Sequence, residues 1–259
     1  MKTKKTLVAA ICVMLCAGAF AQTGRDAADD GMNGAVKRVN AVMYEAQYNA
    51  SDSLVCGDQL EHMVTEYNSR GQRKQQVYLS VAEDIIFRTR YKHDGFGLTT
   101  LEHVVDNHDR VIGRTYYLYD TEHTLTETYV EDAERQIESR MLLKHDGLGR
   151  VSQRSFNDPR NDIYKREVYT YNANGTVNKA VVYDRSQQKV QEKRWEYDSH
   201  GCPVSYTLYD YTEDEPEMFV TLYERQYDAH GNWVRCTEFE VLGDRKLPTY
   251  TTVREIEYF

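Results

Sequence analysis

A short pattern returns along this sequence at nearly regular intervals: an aromatic residue, Asp or Asn, two polar positions, then Gly. YDAHG at Tyr227–Gly231 is matched by YDSHG at Tyr197–Gly201, YNANG at Tyr171–Gly175, YKHDG at Tyr91–Gly95 and YNSRG at Tyr67–Gly71. LKHDG at Leu143–Gly147 lacks the aromatic, and YDTEH from Tyr119 lacks the Gly. Aligned this way the copies start at 67, 91, 119, 143, 171, 197 and 227, with steps of 24, 28, 24, 28, 26 and 30 residues. Self-similarity of this kind limits the chain to architectures built from one repeated supersecondary unit.

The unit is a strand, a strong turn, a second strand and a weaker turn. Asp or Asn after the aromatic can cap its own turn, and Gly supplies the positive φ of a tight reversal. Weaker turns fall between the copies at VAED 81–84, DNHD 106–109, EDAE 131–134, NDPRND 157–162, DRSQQ 184–188 and TEDEPE 212–217, with LGDR 242–245 after the last. The segments between them alternate as strands do: Val177, Lys179, Val181 and Tyr183 fall on one face of VNKAVVY. No stretch shows a sustained helical period. The 21 Tyr and a mean hydropathy of −0.71 suit strands wetted on one face. The spacing predicts an all-β, antiparallel meander of about sixteen short strands. Open sheets beyond about ten strands curl or split, so the expectation is a strongly curled sheet or two stacked layers.

These turns resemble the YD repeats of Rhs proteins and of the shell-forming components of Tc toxins. The closing segment, YDAHGNWVRCTEFE through TTVREIEYF, resembles the end of small exported YD-repeat proteins of Bacteroidetes-type bacteria. The likeness spans about residues 34–259 and implies an all-β meander, a place at the cell surface, and toxin encapsulation or carbohydrate contact. With Phe259 ending a strand and no toxin domain expected after it, encapsulation is not carried over.

Residues 1–21 read as a Sec-type signal peptide. Lys2, Lys4 and Lys5 precede an apolar stretch from Leu7 to Phe20, and Ala19-Phe20-Ala21 gives a small-x-small cleavage site before Gln22. Residues 22–33, QTGRDAADDGMN, read as a flexible linker and 34–259 as the β domain. Export places the protein in the periplasm, at the cell surface or outside the cell. A formal charge of −9, falling to about −12 without the leader, excludes nucleic acid as a partner. No second apolar run has membrane length. A lipid-facing barrel would need an apolar strand face, whereas VQEKRWEY has charges on both faces, so the mature chain is expected not to span a membrane. Cys56, Cys202 and Cys236 remain, an odd number that predicts no disulfide.

Chemistry is sparse. His93, His108, His123, His145, His200 and His230 lie in or beside turns, but equivalent turns sit two strands, about 9–10 Å, apart. That is too far to share a zinc ion, so no metal is predicted. The acidic turns lack calcium-loop spacing. No nucleophile elbow, phosphate loop, HExxH pair or dinucleotide fingerprint is present, and neither enzymatic activity nor a cofactor is expected. Aromatic rows remain: Trp195, Tyr197, Tyr209, Tyr211 and Trp233 are the candidate ligand-binding residues, either as a stacking platform or as cross-strand ladders. Trp233, outside the repeated Tyr slot, is the favoured binder. The sequence thus points to a non-enzymatic protein that binds or scaffolds through a sheet face, with a glycan or a surface protein as partner. The alternative is a secreted hydrolase, or an accessory to one, with its site in the concave face of the curl.

Overall fold

The computed structural model describes residues 26–259. The expected signal peptide and the first residues of the expected linker lie outside the described residues. The chain begins with a short helix, α1 (Asp26–Asp29), and continues as β1 (Val36–Tyr48), β2 (Leu54–Tyr67), β3 (Arg73–Leu79), β4 (Ile85–His93), β5 (Thr99–Asp106), β6 (Val111–Tyr119), β7 (Leu125–Asp132) and β8 (Ile137–His145). The second half is β9 (Val151–Asn157), β10 (Ile163–Tyr171), β11 (Val177–Asp184), β12 (Lys189–Tyr197), β13 (Pro203–Asp210), β14 (Glu217–Tyr227), β15 (Trp233–Leu242) and β16 (Arg245–Tyr258).

Sixteen antiparallel strands confirm the count but overturn the expected shape. The sheet is neither an open curl nor two layers. β16 pairs with β1 from Val36 opposite Tyr258 to Glu45 opposite Tyr250, which closes the meander into a barrel. An open meander would leave two rows of backbone donors and acceptors unpaired, and closure removes both edges.

The turns show why the spacing is regular. Asp228 N donates to Asn232 O at 2.8 Å, and Gly231 N donates to Asp228 O at 3.1 Å. Asp228 Oδ1 accepts from His230 N and Asn232 N, each at 2.9 Å. Gly231, the last of the three loop residues after Asp228, has φ 79°, and the ladder slips between Gln226 and Tyr227. This is a three-residue hairpin loop closed by a bulge. The same loop begins at Asn68, Asp94, Asp120, Asp146, Asn172 and Asp198. Two copies are therefore two residues later than the sequence suggests: the true turns are HDGFG from His93 and HDGLG from His145, with His in the aromatic slot. Corrected starts at 67, 93, 119, 145, 171, 197 and 227 give five steps of 26 and one of 30.

The weaker turns at the other end have the same geometry without Gly. Ser80, Asp106, Asp132, Asp158 and Asp184 open them, and Glu83, Asp109, Arg135, Asn161 and Gln187 occupy the left-handed slot. A side chain there costs roughly 1 kcal/mol. Gln187→Gly, at φ 64°, is accordingly expected to stabilise the barrel by about 0.5–1 kcal/mol. A thermal melt by circular dichroism checks this, and no rise in midpoint would contradict it.

Side chains alternate across the wall. Arg90, Lys92, Lys144, Thr170, Arg194, Glu196, Glu224 and Gln226 point outward and are exposed, while their strand neighbours point inward and are covered. Ala180 (0% exposed), Val182 and Cys236 belong to the inward set. Arg235 of β15 donates to Cys56 Sγ of β2 at 3.6 Å. Cys56 and Cys236 are free thiols.

The residues read as a mobile linker are, from Asp26 on, tied to one end of the barrel. Buried Asp26 accepts from Arg73 N at 2.6 Å and Thr99 Oγ1 at 3.2 Å, and lies 2.7 Å from His93 Nε2. Asp30 accepts from Tyr67 OH at 2.6 Å and from Arg73 Nε and an Arg73 terminal nitrogen at 3.1 and 2.7 Å. Asn33 N donates to Asn232 Oδ1 at 2.7 Å. Ala27, Met32, Val36, Val39 and Tyr67 form a small apolar core beneath α1.

Candidate functional site

The repeated tyrosines belong to the wall. Tyr119 and Tyr171 donate to the backbone carbonyls of Thr99 and Val151, at 2.7 and 2.5 Å, each twenty residues earlier. Tyr227 and Tyr258 donate to Asp198 and Asp228, the capping residues of the preceding strong turns. The turn histidines join the same structure: His200 stacks on Tyr227 at 4.0 Å and His230 on Tyr258 at 4.1 Å. Tyr197 occupies this slot, its hydroxyl meeting the backbone of Val177, and burial pushes its phenol up to about 12.

The five aromatic candidates do not share a face. Tyr209 and Tyr211 stand on the outer wall in a knot of charge. There Glu192 receives Lys189 at 2.8 Å and Arg194 at 2.6 Å. Lys189 lies 4.1 Å from the Tyr211 ring centre and Arg194 lies 5.1 Å from that of Tyr209. Trp195 and Tyr197 point into the lumen, where Trp195 meets Tyr206 with ring centres 5.5 Å apart. Trp233 is only 6% exposed. It packs with Cys202 and Cys236 against Tyr223 and Tyr227, with the Arg254 guanidinium 3.3 Å from its ring centre. Its slot directly after a strong turn holds Val151 and Val177 in other copies. Trp233 is therefore a core residue, and Trp195 is the tryptophan that faces the lumen.

Sequence reasoning missed the inward polar groups, which lie in three sectors. On β3–β6, Tyr91 donates to Gln76 at 2.6 Å and Tyr117 to Glu102 at 2.6 Å. Burial raises the Glu102 carboxyl above the usual range, against the pull of Tyr117 and Arg73. On β9–β12, Glu167 Oε1 meets Lys165 Nζ at 3.0 Å and Lys193 Nζ at 3.2 Å, and Tyr169 donates to Oε2 at 2.5 Å. Burial works to raise this carboxyl, but Lys193, Tyr169 and Lys165 together hold it at about 2. On β14–β16, burial raises Glu238 against Arg225 and pushes the Cys236 thiol up to about 11. That is the wrong direction for a nucleophile. The only signal available in the sequence was strand alternation, once its inward phase was known.

Glu102, Glu167 and Glu238 lie on β5, β10 and β15. Five strands separate successive members, about 24 Å along the wall at the usual strand spacing. Paired-carboxylate hydrolysis needs about 5–9.5 Å. A separate cleft of about 750 Å³ opens at the strong-turn end beside α1, with Phe96 and Phe259 among its lining residues. Its Asn68 and Asp94 are engaged in capping their own turns.

No family model matches the chain, and no curated protein matches it. Among solved structures, a porin-like protein from Bacteroides uniformis matches with a TM-score of 0.55 at 9% identity, over 86% of this chain and 98% of that one. The fold is similar to that of a porin-like barrel. At this identity the likeness shows architecture alone. A porin-like protein from Bacteroides vulgatus, at 9% identity over 86% of this chain and 98% of that one, has a TM-score of 0.30. The Tc holotoxin pore of Photorhabdus luminescens reaches 0.29 at 15% identity, over 76% of this chain and 12% of that one. Neither of these carries weight, and YD-repeat membership is not shown. Among the described residues, no helix is long and apolar enough to cross a membrane. The exposed residues of the wall include Arg90, Lys92, Lys144, Arg194, Glu196 and Glu224, together with Ile86, Leu118 and Leu142.

Proposed function

We propose that this chain is an exported, non-enzymatic barrel of the bacterial envelope or exterior that binds a partner through the inward face of its sheet. The observation that carries the proposal is the position of Trp195 on the lumen wall beside Tyr206. An apolar ring with polar neighbours suits the flat face of a sugar better than an extended protein surface, so a glycan is the first partner to test. A surface protein docking on the barrel rim is the second. The separation of Glu102, Glu167 and Glu238 argues against the hydrolase alternative.

The test is a glycan-array screen followed by tryptophan fluorescence titration. Saturable binding is expected to fall about tenfold or more in Trp195→Ala and to be unchanged in outward Tyr209→Ala. Binding indifferent to Trp195, or no binding by a folded sample, would overturn the assignment of the inward face.

A further inference from the structure

The inward wall of β9–β12 has more cations than it can neutralise. Lys165 and Lys193 converge on one oxygen of Glu167, at 3.0 and 3.2 Å. Lys193 crosses from β12 to β10 over β11, which is possible because the residue between is Ala180; equivalent slots in other copies hold Glu102, Arg154 and Tyr206. Ala180 lies fully covered beneath that crossing. Arg154, opposite Glu167 on β9, forms no described ion pair. Its Nε is buried without a hydrogen-bond partner, and its guanidinium lies 5.2 Å from the Tyr169 ring centre. Lys165 lies 4.3 Å from the ring centre of Phe156. Three cations thus face Glu167 in a chain whose overall formal charge is −9, and two of them rest on aromatic faces; Asp184, opposite Lys165 on β11, is engaged in capping its own turn through Ser186 and Gln188.

Each ammonium has three donors and gives one to Glu167, which leaves donors for a second anion. A buried guanidinium nitrogen without an acceptor is a costly arrangement that a ligand oxygen relieves. From this juxtaposition of Arg154, Lys165 and Lys193 around a single Glu167, we infer that the β9–β12 wall binds the carboxylate of an acidic sugar, with Phe156 and Tyr169 against its ring. The inference rests on the glycan reading above and specifies its chemical class.

Calorimetric titration of the purified full chain with tetragalacturonate, and with its neutral methyl ester, separates the two claims. The acid is expected to bind, and the ester to bind about tenfold or more weakly. Arg154→Gln and Lys193→Gln, each confirmed folded by circular dichroism, are expected to weaken the acid by a similar factor. Glu167→Gln, where it folds, tightens it by removing the competing carboxylate. High salt weakens the acid alone. Equal binding of acid and ester, or indifference to Arg154→Gln and Lys193→Gln, would overturn the carboxylate site and leave the glycan reading in place. Binding of neither, together with a negative glycan array, would overturn both.

Discussion

Replacing Asp30 by alanine is expected to destabilise the barrel by about 3–4 kcal/mol, the cost of stripping one partner from a buried ion pair. Asp30 and Arg73 have side chains only 8% and 17% exposed, and their contact is 2.7 Å. A second guanidinium nitrogen donates to the same carboxylate at 3.1 Å, and Tyr67 OH donates at 2.6 Å. Burial opposes the Arg73 charge, and Asp30 first among its neighbours restores it, leaving the guanidinium held well above its ordinary value. Alanine leaves that cation buried, and leaves the Tyr67 hydroxyl without its acceptor. Asp30→Asn keeps one oxygen for Tyr67 and is expected to cost about half as much. Urea denaturation followed by circular dichroism measures both. A loss below about 1 kcal/mol for the alanine variant, the surface-pair range, would mean that the segment from α1 is not part of the folded unit.

That prediction concerns a stretch whose composition suggests mobility. DAADDGMN has the acidic, glycine-bearing look of a linker because composition reports average solvation, whereas Asp26 and Asp30 are held by residues far along the chain: Arg73, His93, Thr99 and Tyr67. Local patterns were legible wherever structure is local. The strong turns, the strand count and the absence of long helix follow from the Asx cap and the αL glycine. The copies at 91 and 143 were misplaced by two residues because HDGFG and HDGLG each contain two glycines, and the first of them completes a false match to the aromatic pattern. Closure was not legible, since β1 and β16 lie some two hundred residues apart and no turn chemistry marks their pairing. The faces of the candidate aromatic residues were not legible for a related reason. Trp195 sits beside a strong turn and Tyr209 beside a weak one, but their faces depend on the barrel's inward phase, which the bulge between Glu196 and Tyr197 helps to set.

Glu167→Gln tests the inward phase directly, through pH. The Glu167 carboxyl sits at about 2 in the folded barrel against an ordinary 4.5. A depressed carboxyl contributes stability that is fully present above the unfolded value and is lost as pH falls through the folded one. Near neutral pH the variant should be less stable by about 2–3 kcal/mol, because neutral Gln leaves Lys165 and Lys193 converging on each other without a counter-charge. Between about pH 4.5 and pH 2 the difference should shrink toward zero, as protonation of the native carboxyl brings the two side chains to the same charge. Urea denaturation of both proteins at pH 7, 4 and 2.5 gives the comparison, and other titrating carboxylates cancel between them. A gap that stays constant across the three pH values would mean that packing, and not the charge triad, makes Glu167 matter. A gap that closes would locate the triad in a shielded lumen, since on the solvated outer wall a pair of this kind contributes at most about 1 kcal/mol at any pH.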